Sequence, residues 1–236
     1  MKFTTGIKSN LTTYFLLMLI ALLGLLYGKQ LLTGSYMIRL WDYEDIGILF
    51  FGLPFLFLFA KAGLPDFWDE KITDRQRLLY PVLIGLVFGL LDVLIIKVIQ
   101  HPEHYTELPP FLQPFPYSLF LYTSGAFEIE VFYRLIPLTL LLWIGKQAFE
   151  GRYFNYFMWA GLTLTSIREP LEQFPDGNWW FMTYALFTGF LMNFLQAKFF
   201  IKYGFIASLT LRLGHYLVWH ILLGVYVQWV ELSAMP

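Results

Sequence analysis

Seven stretches of the chain are nearly free of charged side chains, and short segments richer in polar residues separate them: 11–32, 46–62, 78–99, 116–144, 153–167, 179–201 and 203–230. A bilayer core is crossed by about 20 mostly apolar helical residues, so the pattern predicts an all-α, polytopic transmembrane helical bundle of about seven spans. The stretch 153–167 is short, which predicts that Arg152 and Arg168 snorkel from its ends towards the interfaces. The stretch 203–230 is long, and Gly204, Ser208 and Thr210 near its start predict an interfacial approach before a spanning part from Leu211 onward. Gly85 and Gly89 stand four apart, the spacing of a close helix-packing face. No internal repeat or low-complexity linker interrupts the pattern, so 1–236 reads as a single integral membrane domain.

Composition strengthens this picture. The chain is 58% hydrophobic and 14% charged, with a mean hydropathy of +0.58, too apolar for a water-soluble domain of this length to hide. A net charge of −1 without a basic run excludes a nucleic-acid partner. The absence of cysteine removes thiol nucleophiles, disulfides and thiolate metal sites. Lys2 and Lys8 precede the uncharged run 11–27 as in a secretory signal, but no small-residue cleavage pattern follows, and the run reads as a retained first span.

With seven spans, Lys2, Lys8, Lys61, Lys71, Arg75, Arg77, Lys146, Arg152, Lys198 and Lys202 fall on one side, and Lys29, Arg39, Lys97 and Arg168 on the other. This asymmetry predicts a plasma or inner membrane protein with a cytoplasmic amino terminus and an external carboxyl terminus. Trp41, Trp68, Trp143, Trp179, Trp180 and Trp229 lie near segment ends, where an aromatic belt would put them.

Ionisable groups inside spans are costly and face a partner or a water-filled cavity. Here they are Asp92, Glu128, Glu130, Arg134, Arg212, His215 and His220. Glu130 and Arg134 are four apart, which predicts direct pairing. Glu128 points elsewhere and needs its own partner, Arg212 or a polar group on another helix. Arg212 and His215 share a face three apart, whereas His220 is displaced towards the external end. The charges therefore predict that the fourth and seventh segments touch. Convergence of a carboxylate and an imidazole on water would supply a general acid and base; a structural ion network joining the helices is the other outcome. Asn193 and Gln196, three apart, line a path or bond between helices, and Asp92 serves either purpose. His101, His104 and Glu107 have a ligand-like spacing but sit in a Pro-rich loop, so no metal site and no cofactor is expected.

The sequence from Gly125 to Leu222 resembles the CPBP family of intramembrane proteases, which includes CAAX-processing and bacteriocin-immunity proteins. That family carries Glu-Glu-x-x-x-Arg on one helix, Phe-x-x-x-His on a later one, and a final helix with His followed four residues on by Asn or Asp. Glu130 matches the second Glu, Arg134 the Arg, and His215 the last His. Ile129 occupies the place of the first Glu, and Glu128 is displaced from it by one residue, about 100° around the helix. No histidine lies between His104 and His215, so Ser166 or Thr163 stands where the second motif needs one, and Trp219 replaces the final Asn or Asp. The resemblance implies a glutamate-dependent endopeptidase scaffold with a degenerate catalytic motif.

Three functions follow as expectations. The first is a CPBP-like pseudoenzyme, a scaffold or membrane-complex subunit whose partners are the bilayer and another membrane protein. The second is an active intramembrane protease acting on a membrane-anchored peptide, with Glu130 or Glu128 as base, His215 as acid or oxyanion donor, and a hydroxyl from Ser166 or Thr163. The third is a small transporter or lipid-binding protein that uses Asp92, Asn193, Gln196 and Arg212 for binding. Unequal spans without a repeat count against transport.

Overall fold

The computed structural model describes residues 5–31, 38–41 and 43–234; of the positions named above, Lys2 and Leu32 lie outside them. These residues form eight helices and no strand. They are α1 (Thr5–Leu31), α2 (Tyr43–Leu56), α3 (Phe59–Ala62), α4 (Arg75–Gln100), α5 (117–147), α6 (Phe154–Glu172), α7 (Trp179–Tyr203) and α8 (Phe205–Glu231). Each hydrophobic stretch of the sequence falls on a helix, with α2 and α3 sharing the second. Four helices, α1, α4, α7 and α8, are long and apolar enough to cross a membrane. A membrane protein with at least these four candidate spans is thus the architecture the described residues support.

The connections gather at two ends. At the end where α1 begins, here the base, the Asn10 amide donates to Asp66 Oδ1 at 2.8 Å and accepts from the Phe67 N–H at 2.8 Å. At the opposite end, the rim, Tyr117 donates to the Arg39 carbonyl at 2.7 Å and the Phe115 N–H to Gln228 Oε1 at 2.9 Å. There too Lys97 meets Glu231 at 2.9 Å, and both are buried. Gly204 joins α7 to α8 at φ +85°, a left-handed conformation in which a Cβ is strained.

The largest apolar core among the described residues is built mainly on α1, α2 and α5, with Phe59, Phe67, Phe200 and Phe205 closing it towards the base. Tyr14 is wholly buried against Phe127, its ring centroid 4.9 Å away, and its hydroxyl donates to the Leu49 carbonyl at 2.7 Å. Trp41 is buried in this core, which also holds Ala21, Leu25 and Leu121. Trp68, Trp179, Trp180 and Trp229 are exposed.

Gly85 and Gly89 turn α4 against α8. A Cβ on Gly85 would run into the Leu211 carbonyl oxygen and lie 2.7 Å from the His215 nitrogen, and one on Gly89 would lie 2.8 Å from the His215 oxygen. Backbone meets backbone there, as the four-residue spacing predicts. The beginning of α8 packs within the protein. Phe205 to Leu209 are all buried, Phe205 stacking on Phe67 at 4.8 Å, so this turn is enclosed by protein.

Candidate functional site

The fourth and seventh stretches do touch. Glu130 on α5 meets Arg212 on α8, with 3.1 Å between Oε1 and Nε, and Ser208 donates its hydroxyl to the other oxygen. Glu130, Arg134, Arg212 and His215 are all buried. Their pairing differs from the sequence expectation, since Glu130 does not bond its helical neighbour Arg134. Between them α5 widens into a π-helical turn, Val131–Leu135, and the closer cation for Glu130 comes from α8. Arg134 reaches the other way. It donates to the Thr165 carbonyl at 3.0 Å, to Gln196 Oε1 at 3.2 Å and to Asn193 Oδ1.

Glu169 on α6 completes the cluster and was not among the sequence candidates. Its two oxygens receive Nη1 and Nη2 of Arg212 at 2.7 and 2.6 Å, a bidentate pair. Arg134 Nη2 stands 3.9 Å from Glu169 Oε2. Arg212 also donates to Asn193 Oδ1 at 3.2 Å and Gln196 Oε1 at 3.0 Å. Asn193 and Gln196 therefore join helices as buried acceptors for two guanidinium groups. Two carboxylates and two guanidiniums balance, which is what keeps four charges tolerable in an interior.

His215 belongs to a different group. Its Nε2 lies 2.7 Å from Asp92 Oδ2, and Tyr184 donates to Asp92 Oδ1 at 2.8 Å. The other ring nitrogen, Nδ1, is buried and has no hydrogen-bond partner among the described residues. Asp92 thus serves His215 directly, a pairing across 123 residues.

Two adjoining cavities of about 440 and 600 Å³ reach towards the rim, and the larger borders these groups. The larger is walled by Asp92, Glu169, Tyr184, Asn193, Arg212 and His215 among others. Glu128 lines the smaller together with Asp45 on α2, and it does not meet Arg212. Both cavities touch Arg39, Tyr216 and His220. His220 sits near the rim as its offset predicts, its Nδ1 2.8 Å from the Phe111 carbonyl oxygen and its ring stacked on Tyr122 at 4.2 Å.

The hydroxyls expected to replace a histidine do not join the cluster. Ser166 is buried but donates to the Leu162 carbonyl of its own helix, and Thr163 is exposed. Nor does α6 end at Ile167. It continues to Glu172, where Arg168 pairs with Glu172 at 2.7 Å and lies over the Phe132 ring at 4.2 Å. Among the described residues no three His, Cys, Asp or Glu side chains gather as a metal site, His101, His104 and Glu107 included.

The arrangement can hold four buried charges in fixed positions beside a cavity. Comparisons with protein-family models, with curated proteins and with solved structures return no match.

Proposed function

We propose that this chain is a CPBP-like integral membrane protein that crosses the bilayer seven times, has its amino terminus in the cytoplasm, and acts as a scaffold or membrane-complex subunit without peptidase activity. One observation carries the loss of peptidase activity. The carboxylate of Glu130, the residue matched to the family's glutamate, is closed on one oxygen by Ser208 and on the other by Arg212, and it borders neither cavity. A general base has to reach the water it activates, and this one is wholly buried. Glu169 reaches the larger cavity, but both its oxygens are taken by Arg212. The seven-span reading is supported by the connections 38–41, 101–116 and 173–178 meeting at the rim while 63–74 meets α1 at the base.

Purified protein in lipid should leave membrane-anchored peptide libraries intact. Many turnovers that stop in Glu130→Gln would reverse this reading and restore the glutamate-dependent protease. For orientation, the chain has no native cysteine, so single cysteines at Lys71 and Lys146 should resist an impermeant reagent in intact cells, whereas one at Asp176 should react.

A further inference from the structure

Helices α2 and α5 approach closely at Gly52, where an added Cβ would lie 2.6 Å from Val131 and 3.3 Å from Leu135. Nearer the rim the smaller cavity takes up the space between them, with Asp45 and Ile48 from α2 and Gly125, Glu128 and Ile129 from α5 in its lining. A Cβ added to Gly125 would meet nothing within 4 Å, so α5 borders open space there.

Charges of opposite sign line this cavity without closing on each other. Arg39 is fixed through its backbone, its N–H donating to Gln113 Oε1 at 2.9 Å and its carbonyl accepting from Tyr117 at 2.7 Å. Its guanidinium forms no ion pair among the described residues and lines the cavity. Glu128 is half-buried and likewise forms no ion pair among them, although Asp45 and Arg39 are both within electrostatic reach of it. Trp41 lines the same cavity, and its indole N–H, on a side chain only 8% exposed, has no acceptor among the described residues. The contrast is with the buried cluster, where Arg212 is closed directly on Glu130 and Glu169. A lone anion entering the smaller cavity would meet the field of Glu128 and Asp45, and a lone cation that of Arg39. An uncharged molecule would displace water from both signs and pair neither. A ligand that carries both signs pairs each.

We infer that the smaller cavity binds a phosphoethanolamine zwitterion, its phosphate accepting from the Arg39 guanidinium and its ammonium donating to Glu128. A guanidinium fork matches two phosphate oxygens. A primary ammonium brings three N–H donors to a carboxylate, and a quaternary one brings none. The two-carbon arm keeps the ligand's charges apart, as those of Arg39 and Glu128 are, whereas an α-amino acid carries both on one carbon. A volume of about 440 Å³, at roughly 30 Å³ per water, is room for about fifteen non-hydrogen atoms, enough for a glycerophosphoethanolamine unit. The inference goes beyond the proposed function, and because it is read by binding it stands or falls separately from peptide cleavage.

The experiment uses the full chain, delipidated in dodecyl maltoside, and reads binding by isothermal titration. The probes are glycerophosphoethanolamine and dihexanoyl phosphatidylethanolamine, with dihexanoyl phosphatidylglycerol, dihexanoyl phosphatidylcholine and phenylalanine for comparison. Dihexanoyl phosphatidylethanolamine should bind about tenfold tighter than the glycerol and choline lipids, a factor that corresponds to one charge-assisted hydrogen bond. Glu128→Gln should bring it down to the level of the glycerol lipid, and Arg39→Gln should weaken all three lipids about tenfold. Gly125→Leu, which fills open space and suits a helix better than glycine, should abolish binding with thermal unfolding no lower than that of the unaltered protein. Tighter binding of dihexanoyl phosphatidylethanolamine than of glycerophosphoethanolamine makes the ligand a membrane lipid, equal binding makes it the soluble diester, and either upholds the site. The inference is overturned if neither ethanolamine probe binds, or if the glycerol lipid, the choline lipid or phenylalanine binds as tightly. Unchanged binding by Glu128→Gln or by Gly125→Leu would overturn it as well.

Discussion

Helices α4 and α8 are nearly equal in length and run against each other through Gly85 and Gly89, yet they live in different surroundings. In its most apolar window α8 is 67% buried within the protein, and α4 only 22%. The enclosed helix carries Arg212, His215 and Glu231, while the flank of α4 is Leu83, Val87, Leu90, Leu94 and Val98, all exposed. Protein contact, not hydrophobicity, is therefore what permits charge on a helix of this kind: a guanidinium on α8 finds carboxylates from α5 and α6, and one on the outer face of α4 would find only hydrocarbon.

The sharpest way to break this comparison is to remove the central cation. Arg212→Ala leaves Glu130 and Glu169 buried without their partner, and its expected cost is about 3–5 kcal/mol, read as a large loss of thermal stability in detergent or failure to accumulate. Combining Arg212→Met with Glu130→Gln and Glu169→Gln should recover much of that loss, because the uncompensated charges go as well. A lone Arg212→Ala with unaltered stability would mean the cluster is not what holds α5, α6 and α8 together.

Leu211→Ala comes next. Leu211 is wholly buried between Phe88 and Met192, and its truncation should cost about 2–5 kcal/mol through the cavity left behind. Gly85→Ala should cost about 1–3 kcal/mol, since the obstruction is the backbone of α8 and cannot swing aside. The smallest effect belongs to Leu90→Ala on the exposed flank of α4, within about 0.5 kcal/mol. A Leu90→Ala loss as large as that of Leu211→Ala would show that a further protein surface covers α4.

How much of this was legible in the sequence depends on the contrast each residue makes with its neighbours. Glu130, Arg134, Arg212 and His215 stand out because each interrupts an apolar run, and all four are buried. Glu169 is equally central and was missed. It follows Arg168, precedes Pro170, and sits two residues past the last apolar residue of its stretch, so it reads as part of a loop; the helix nevertheless carries Pro170 internally and continues to Glu172. The absence of further hydropathy in 168–172 hides a turn that is buried by protein on one face only. Partnerships were less legible than positions. An i to i+4 spacing made Arg134 the natural partner of Glu130, but Arg212, 82 residues away, takes it; the meeting of Asp92 with His215 likewise rests on the Gly85 and Gly89 contact, which sequence spacing announces without saying which helix it faces.

The wide turn at Val131–Leu135 has a last consequence. A π-helical turn holds an extra residue relative to a regular α-helix, so it divides α5 into two parts whose side chains can be aimed independently. The part before it aims Glu130 at α8, and the wide turn itself aims Arg134 at α6 and α7. Shortening the turn by one residue would swing everything from Ile136 to Gln147 by about 100° around the helix axis, taking Leu138 and Leu142 out of the core. Two neighbouring charges of opposite sign on one helix can serve different partners because the helix changes phase between them.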